Sequence, residues 1–131
     1  METYELEEQV YQNLASDTAL IAILPDGSKS IYHLQAPAVD PVRYPIIVYS
    51  PISDVPALSA DNVEFAHRVT IRIHVIALSS GSTADYENFI ECCKRVKTIM
   101  TNLNFFRVQS NFFVNDGKKM MIFDFAKKER S

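Results

Sequence analysis

A chain of 131 residues accommodates one domain that can bury roughly two-thirds of its unfolded surface. Its 47% hydrophobic and 22% charged composition excludes wholesale disorder, and a formal net charge of −3 argues against a general nucleic-acid binder. That small charge conceals a division: residues 1–65 hold ten acidic side chains against two basic ones, net −8, while residues 66–131 hold six against eleven, net +5.

The first element reads as a helix. Thr3 is its expected cap, Glu5, Glu7 and Glu8 suit the positive end of its dipole, and Leu6, Val10 and Leu14 recur every four residues beside Tyr11. Ser16-Asp17 offers a second cap before the apolar run 19–24, which Pro25-Asp26-Gly27 closes as a turn. A short strand is predicted over 31–34, then a connection punctuated by Pro37 and Pro41, then a β-branched strand over 46–49. Residues 51–66 predict a long, wet and mobile loop: Pro51 and Pro56 interrupt any ladder, and Asp54, Asp61 and Glu64 carry solvated charge.

The strongest strand signal runs from Arg68 to Leu78. Val69, Ile71, Ile73, Val75 and Ala77 alternate with Arg68, Thr70, Arg72 and His74, so one face is core and the other meets solvent or a partner. Ser82-Thr83-Ala84-Asp85 has capping-box spacing and opens a helix whose stripe is Tyr86, Phe89, Ile90, Cys93, Val96 and Met100. After Asn102–Asn104, a strand follows in which Phe106, Val108 and Phe112 are assigned to the core side. Asn115-Asp116-Gly117 makes a hairpin turn, and Met121, Phe123 and Phe125 form one face of a last strand.

The pattern predicts an α+β fold, a largely antiparallel β-sheet of four to five strands with two long helices packed on one face. Residues 1–126 form the expected single domain, with 127–131 as a polar tail. No apolar run approaches the roughly 18–20 residues that span a bilayer, so no membrane partner is expected. The acidic N-terminus has the wrong charge for a secretory signal, and the cytoplasm is the expected place of synthesis.

The catalytic inventory is thin. His33, His67 and His74 lack metal-ligand spacing, and adjacent Cys92 and Cys93 read as reduced thiols, one packed and one nearer the surface. Asp124 lies between two phenylalanines, where alternation places it on the solvent side of a strand more readily than in a cleft as a general base. Convergence of a histidine with Asp54, Asp61 or Asp124 is the remaining route to an active site. A non-enzymatic protein with no cofactor and no metal is therefore expected. Arg68 and Arg72 on an open sheet face admit a nucleic-acid reading, but the aromatics that a single-strand platform needs are assigned to the core. The acidic and basic halves instead suit self-association, each copy's acidic surface meeting the next copy's basic one.

Together the phrases Leu14-Ala15-Ser16-Asp17-Thr18-Ala19-Leu20, Ile31-Tyr32, Tyr44-Pro45-Ile46-Ile47-Val48-Tyr49 and Val69-Thr70-Ile71-Arg72-Ile73-His74-Val75, with a capped helix around Tyr86 and a closing strand near Asp124, resemble something known. The chain resembles the tail completion, or tail terminator, proteins of long-tailed bacteriophages over nearly its whole length. Its Tyr44-Pro45 reverses the Pro-aromatic order common in that family. The resemblance implies a helix-flanked antiparallel sheet whose copies form a hexameric ring. That ring caps the tail tube protein and receives the head completion (stopper) protein, with DNA only passing through its lumen. It implies a virion location at the head–tail interface after assembly in the host cytoplasm. Asp54, Asp61 and Glu64 on the loop, and Arg68, Arg72 and His74 on the open sheet face, are the candidate interface residues. Another head–tail component, a stopper or minor capsid protein, is the alternative, and a small nucleic-acid-binding domain a more distant one.

Overall fold

Leu6, Val10 and Leu14 are fully buried along one stripe of the first helix, α1 (Thr3–Ser16), as their four-residue spacing requires. In the computed structural model, which describes residues 2–36, 43–60 and 63–130 and the side chains of these outside 57–65, Glu2 is the cap of α1. Its side chain and that of Glu5 form a reciprocal capping box, so Thr3 is released for another contact. Asp17 caps α2 (Thr18–Ile23) by accepting from the Leu20 N–H, and a 3₁₀ turn at Gly27–Ser30 leads into β1 (Ile31–His33).

Two long strands follow, β2 (Ile46–Ala60) and β3 (Val63–Leu78), and the Tyr44–Pro45 peptide bond before them is cis. Ser82 and Asp85 form a capping box at the start of α3 (Thr83–Asn102). The last hairpin is β4 (Phe106–Asn115) and β5 (Lys118–Arg130), turned by Asp116 and Gly117 at φ 55° and 76°. The strands form one five-stranded sheet in the order β1-β2-β3-β5-β4, antiparallel except for the β1–β2 pair. The fold is α+β, as the sequence predicts, with α2 as a short third helix.

Residues 51–60 and 63–66 differ from the expected loop. They are strand: β2 and β3 pair along almost their whole length, from Ile46↔Ile76 to Ala60↔Val63. The reason lies in which way the prolines point. Tyr49 turns its carbonyl to the Leu34 N–H on the β1 side, so Tyr49 and its opposite residue Ile73 are a non-hydrogen-bonded pair. Pro51 lies opposite Ile71 and Pro56 opposite His67, positions of the same class along β3 with Val69 between them. Their nitrogens therefore face the outer edge and remove no ladder bond, while bulges after Pro51 and Pro56 keep the phase. Residues 127–130 are likewise strand rather than tail, since β5 pairs with β3 as far as Ala66↔Arg130.

The main core lies between one sheet face and the helices. Val69, Ile71, Ile73 and Val75 of β3 and Phe123 and Phe125 of β5 meet Leu6, Val10, Leu20, Phe89, Val96 and Met100. Each such side chain contributes roughly 1.5–3 kcal/mol by leaving water. Cys92 and Ile99 belong to the buried stripe of α3, while Tyr86 stands 52% exposed, a rotation of the predicted stripe by part of a turn. On the opposite sheet face a smaller cluster joins Ile46, Val48 and Ile76 with Tyr32, Tyr44 and Met120.

Candidate functional site

The face away from the helices carries Arg68, Arg72 and His74, as alternation along β3 requires, but their environments differ. Arg72 lies opposite Asp124 in the β3–β5 register and donates to both its carboxylate oxygens, from Nε at 2.8 Å and from Nη2 at 3.1 Å. The amide of Gln109, across β4–β5, donates to the same carboxylate at 2.6 Å. These contacts bury Asp124 to 3% exposure and hold its carboxyl below the usual range, the Arg72 hydrogen bonds first and Gln109 next. Alternation places Asp124 on the correct face, but neighbouring side chains remove it from water. A carboxylate so stabilised as an anion is a poor proton acceptor.

His74 is half-buried beside this group. Burial first, and the Arg72 charge next, push its pKa below the ordinary value, and its Nδ1 is buried with no hydrogen-bond partner among the described residues. Arg68 is exposed and places its guanidinium 5.4 Å from the Phe106 ring, a cation–π contact. Of the three face residues, Arg72 is committed to an in-chain partner and Arg68 keeps its charge at the surface.

Asp54 lies on the helix side of the sheet. Its Oδ2 accepts from the Thr3 hydroxyl and its Oδ1 lies 2.6 Å from Nδ1 of buried His67, so α1, β2 and β3 are tied at one point. The Thr3 hydrogen bond first, and His67 next, hold the Asp54 carboxyl below its usual range. Among the described residues this is where a histidine and a candidate aspartate lie within hydrogen-bond distance. Asp61 lies outside the described residues. Glu64 is in β3 opposite Ser59, and its side chain is outside the described set. Both cysteines are buried, which corrects the expectation that one lies near the surface, and burial pushes Cys92 up to about 12 and Cys93 up to about 11. Among the described residues no group of three or more His, Cys, Asp or Glu is placed to hold a metal ion, and no helix is long and apolar enough to cross a membrane.

β4 lies otherwise than its alternation predicts. All ten of its residues are exposed, and Phe106 and Phe112, assigned to the core, are each 51% exposed. A register shift between Arg107 and Gln109 flips the alternation, so Phe106 pairs with Ala126 on the open face while Phe112 meets Phe89 on the helix side. Phe113 and Val114 are also more than half exposed. The contiguous Phe112-Phe113-Val114 run, which no two-residue period puts on one face, is the sequence signal for such a strand. β4 ends the sheet and offers a free backbone edge with no proline and one charge, Arg107.

Strand order also turns the charge division into geometry. α1 packs over β1 and β2, with Glu7 on His33 and Tyr11 beside Tyr49. Among the described residues the acidic first half thus forms one side of the domain. β5 and β4, with Arg107, Lys118, Lys127 and Lys128, form the other.

No protein-family model matches the chain, and no curated protein matches it in sequence. Among solved structures it is similar to a chain from the virion of a native gene transfer agent particle, at 14% identity and a TM-score of 0.69. The alignment covers 93% of this chain and 92% of that one, so the whole fold is shared.

Proposed function

We propose that this protein is a structural component of a phage-type virion that caps the tail tube and joins it to the head connector as a hexameric ring. The observation that carries the reading is end-to-end likeness of fold to a chain of a gene transfer agent virion. The tail-terminator phrases of the sequence supply the finer assignment, and a domain with oppositely charged sides suits a head-to-tail ring. The role is non-enzymatic: copies of the chain and neighbouring virion proteins are the partners, and DNA traverses the ring without being read. The working location is the head–tail interface of the particle, reached by assembly in the host cytoplasm.

Negative-stain microscopy of the purified protein with tail tubes tests this. Rings seated on tube ends, and tubes that stop lengthening when the protein is added, are the expected result. Rings that ignore tubes but bind the head connector would replace the terminator assignment with a stopper. Absence of binding to either would overturn the virion role.

A further inference from the structure

We infer that β4 is the strand through which one copy of this protein docks onto the acidic, α1-bearing side of the next, a heterologous contact between unlike sides. The inference rests on the virion reading only in taking the partner to be a second copy.

The two edges of the sheet are built differently. Along the outer edge of β2, Pro51 and Pro56 turn donor-less nitrogens outward and bulges follow each of them, devices that keep this stretch from pairing with any strand, so a docked β4 meets the α1 side through side chains and not by extending the sheet. The β4 edge has no such guard. It is uncharged from Val108 to Asn115, and Phe112, Phe113 and Val114 are more than half exposed on its two faces. A strand open on both faces and along its backbone edge leaves apolar surface in water that a partner removes.

Charge then selects among copies. Two β4 edges brought together would juxtapose Arg107 and the β5 lysines of both copies, a like-charge contact. The side carrying α1 presents Glu5 and Glu8, both exposed, and offers the opposite sign. Two α1 sides repel in the same way. The favourable contact is therefore β4 of one copy against the α1-bearing side of another, which leaves one free side of each kind and propagates until it closes.

Sedimentation velocity of the full chain, from micromolar to near-millimolar concentration at low and moderate salt, tests this with two variants. Arg107→Glu with Val114→Asp makes the β4 edge acidic; Glu8→Lys with Gln12→Lys makes the exposed side of α1 basic. Each variant alone is expected to raise the concentration needed for assembly at least about tenfold, and an equimolar mixture of the two to restore it. Unchanged urea midpoints establish folding, and Arg107→Glu alone replaces the first variant if that one does not fold. A wild-type chain that stays monomeric throughout would overturn the inference and assign β4 to a different protein. Assembly unaffected by the α1 variant but lost in the β4 variant would overturn the contact between unlike sides in favour of a symmetric β4 pair. A monomer that still caps tail tubes would refute this contact while leaving the proposed function standing.

Discussion

Arg72 and Asp124 face each other directly across β3 and β5, and the guanidinium grips both carboxylate oxygens in a fork only arginine can supply. Asp124 is the buried partner, while the Arg72 side chain is 37% exposed, so the two truncations are unequal. Arg72→Met strands a buried carboxylate with Gln109 alone and is expected to cost about 2–3 kcal/mol; Asp124→Asn, which leaves Arg72 access to water, costs less. The Asp124 pKa is lowered in the folded state, so its contribution is present above the unfolded value of about 4 and is lost as pH falls through the folded one. Urea midpoints of wild type and Arg72→Met should accordingly differ most near neutral pH and converge in acid.

His74 shares that proton preference, though it is the neutral form of the side chain that the fold favours. Its folded pKa lies below the ordinary value of 6.5, so the unfolded chain takes up the proton first as pH falls. The stability it supplies is complete above about pH 6.5 and declines below that point. His74→Gln removes the titration, and the difference between the wild-type urea midpoints at about pH 7.5 and pH 5.5 is expected to shrink in the variant. Equal pH dependence in both proteins would contradict the assignment.

The Thr3–Asp54–His67 contact ties the start of α1 to the β2–β3 hairpin. Asp54→Ala is expected to cost about 1 kcal/mol, a small figure because the carboxylate is partly exposed. The sharper readout is local. Amide exchange should accelerate at Leu6 and its neighbours, whose hydrogen bonds close the first turn of α1, and stay unchanged in α3.

Pro51 and Pro56 protect the outer edge of β2 without costing the ladder a bond. Replacing both by threonine supplies two outward N–H donors on a β-favouring side chain. Equilibrium stability should move by no more than about 0.5 kcal/mol, while light scattering at high concentration rises with time. A variant that remains as clear as the wild type would remove the edge-guarding role.

Cys92 and Cys93 are buried with thiol pKa values pushed up to about 12 and about 11. Neither is expected to react with a disulfide reagent at about pH 8 on the timescale that labels the urea-unfolded chain. Rapid labelling of either thiol in the native protein would mean that α3 opens locally far more readily than its packing suggests.

Features written in local chemistry are legible from the residues alone. Asp17 and the Ser82–Asp85 pair cap their helices, Asp116-Gly117 adopts the positive φ values of a two-residue hairpin turn, and Arg68–Leu78 divides its side chains between two faces. Each depends on neighbours a few positions away, which any short segment contains. Whether Pro51 breaks a strand depends instead on the side toward which its nitrogen points, and that is set by β1 and β3. Likewise, alternation shows that Phe106 and Phe112 lie in a strand but not that the strand ends the sheet, nor that a register shift sends their rings to opposite faces. By itself the sequence determined an α+β chain with an acidic front, a basic back and apolar stripes to bury. Only the tertiary structure decided which stripes stay in water and that the two charges occupy opposite sides, because strand order is a non-local choice that no residue spacing encodes.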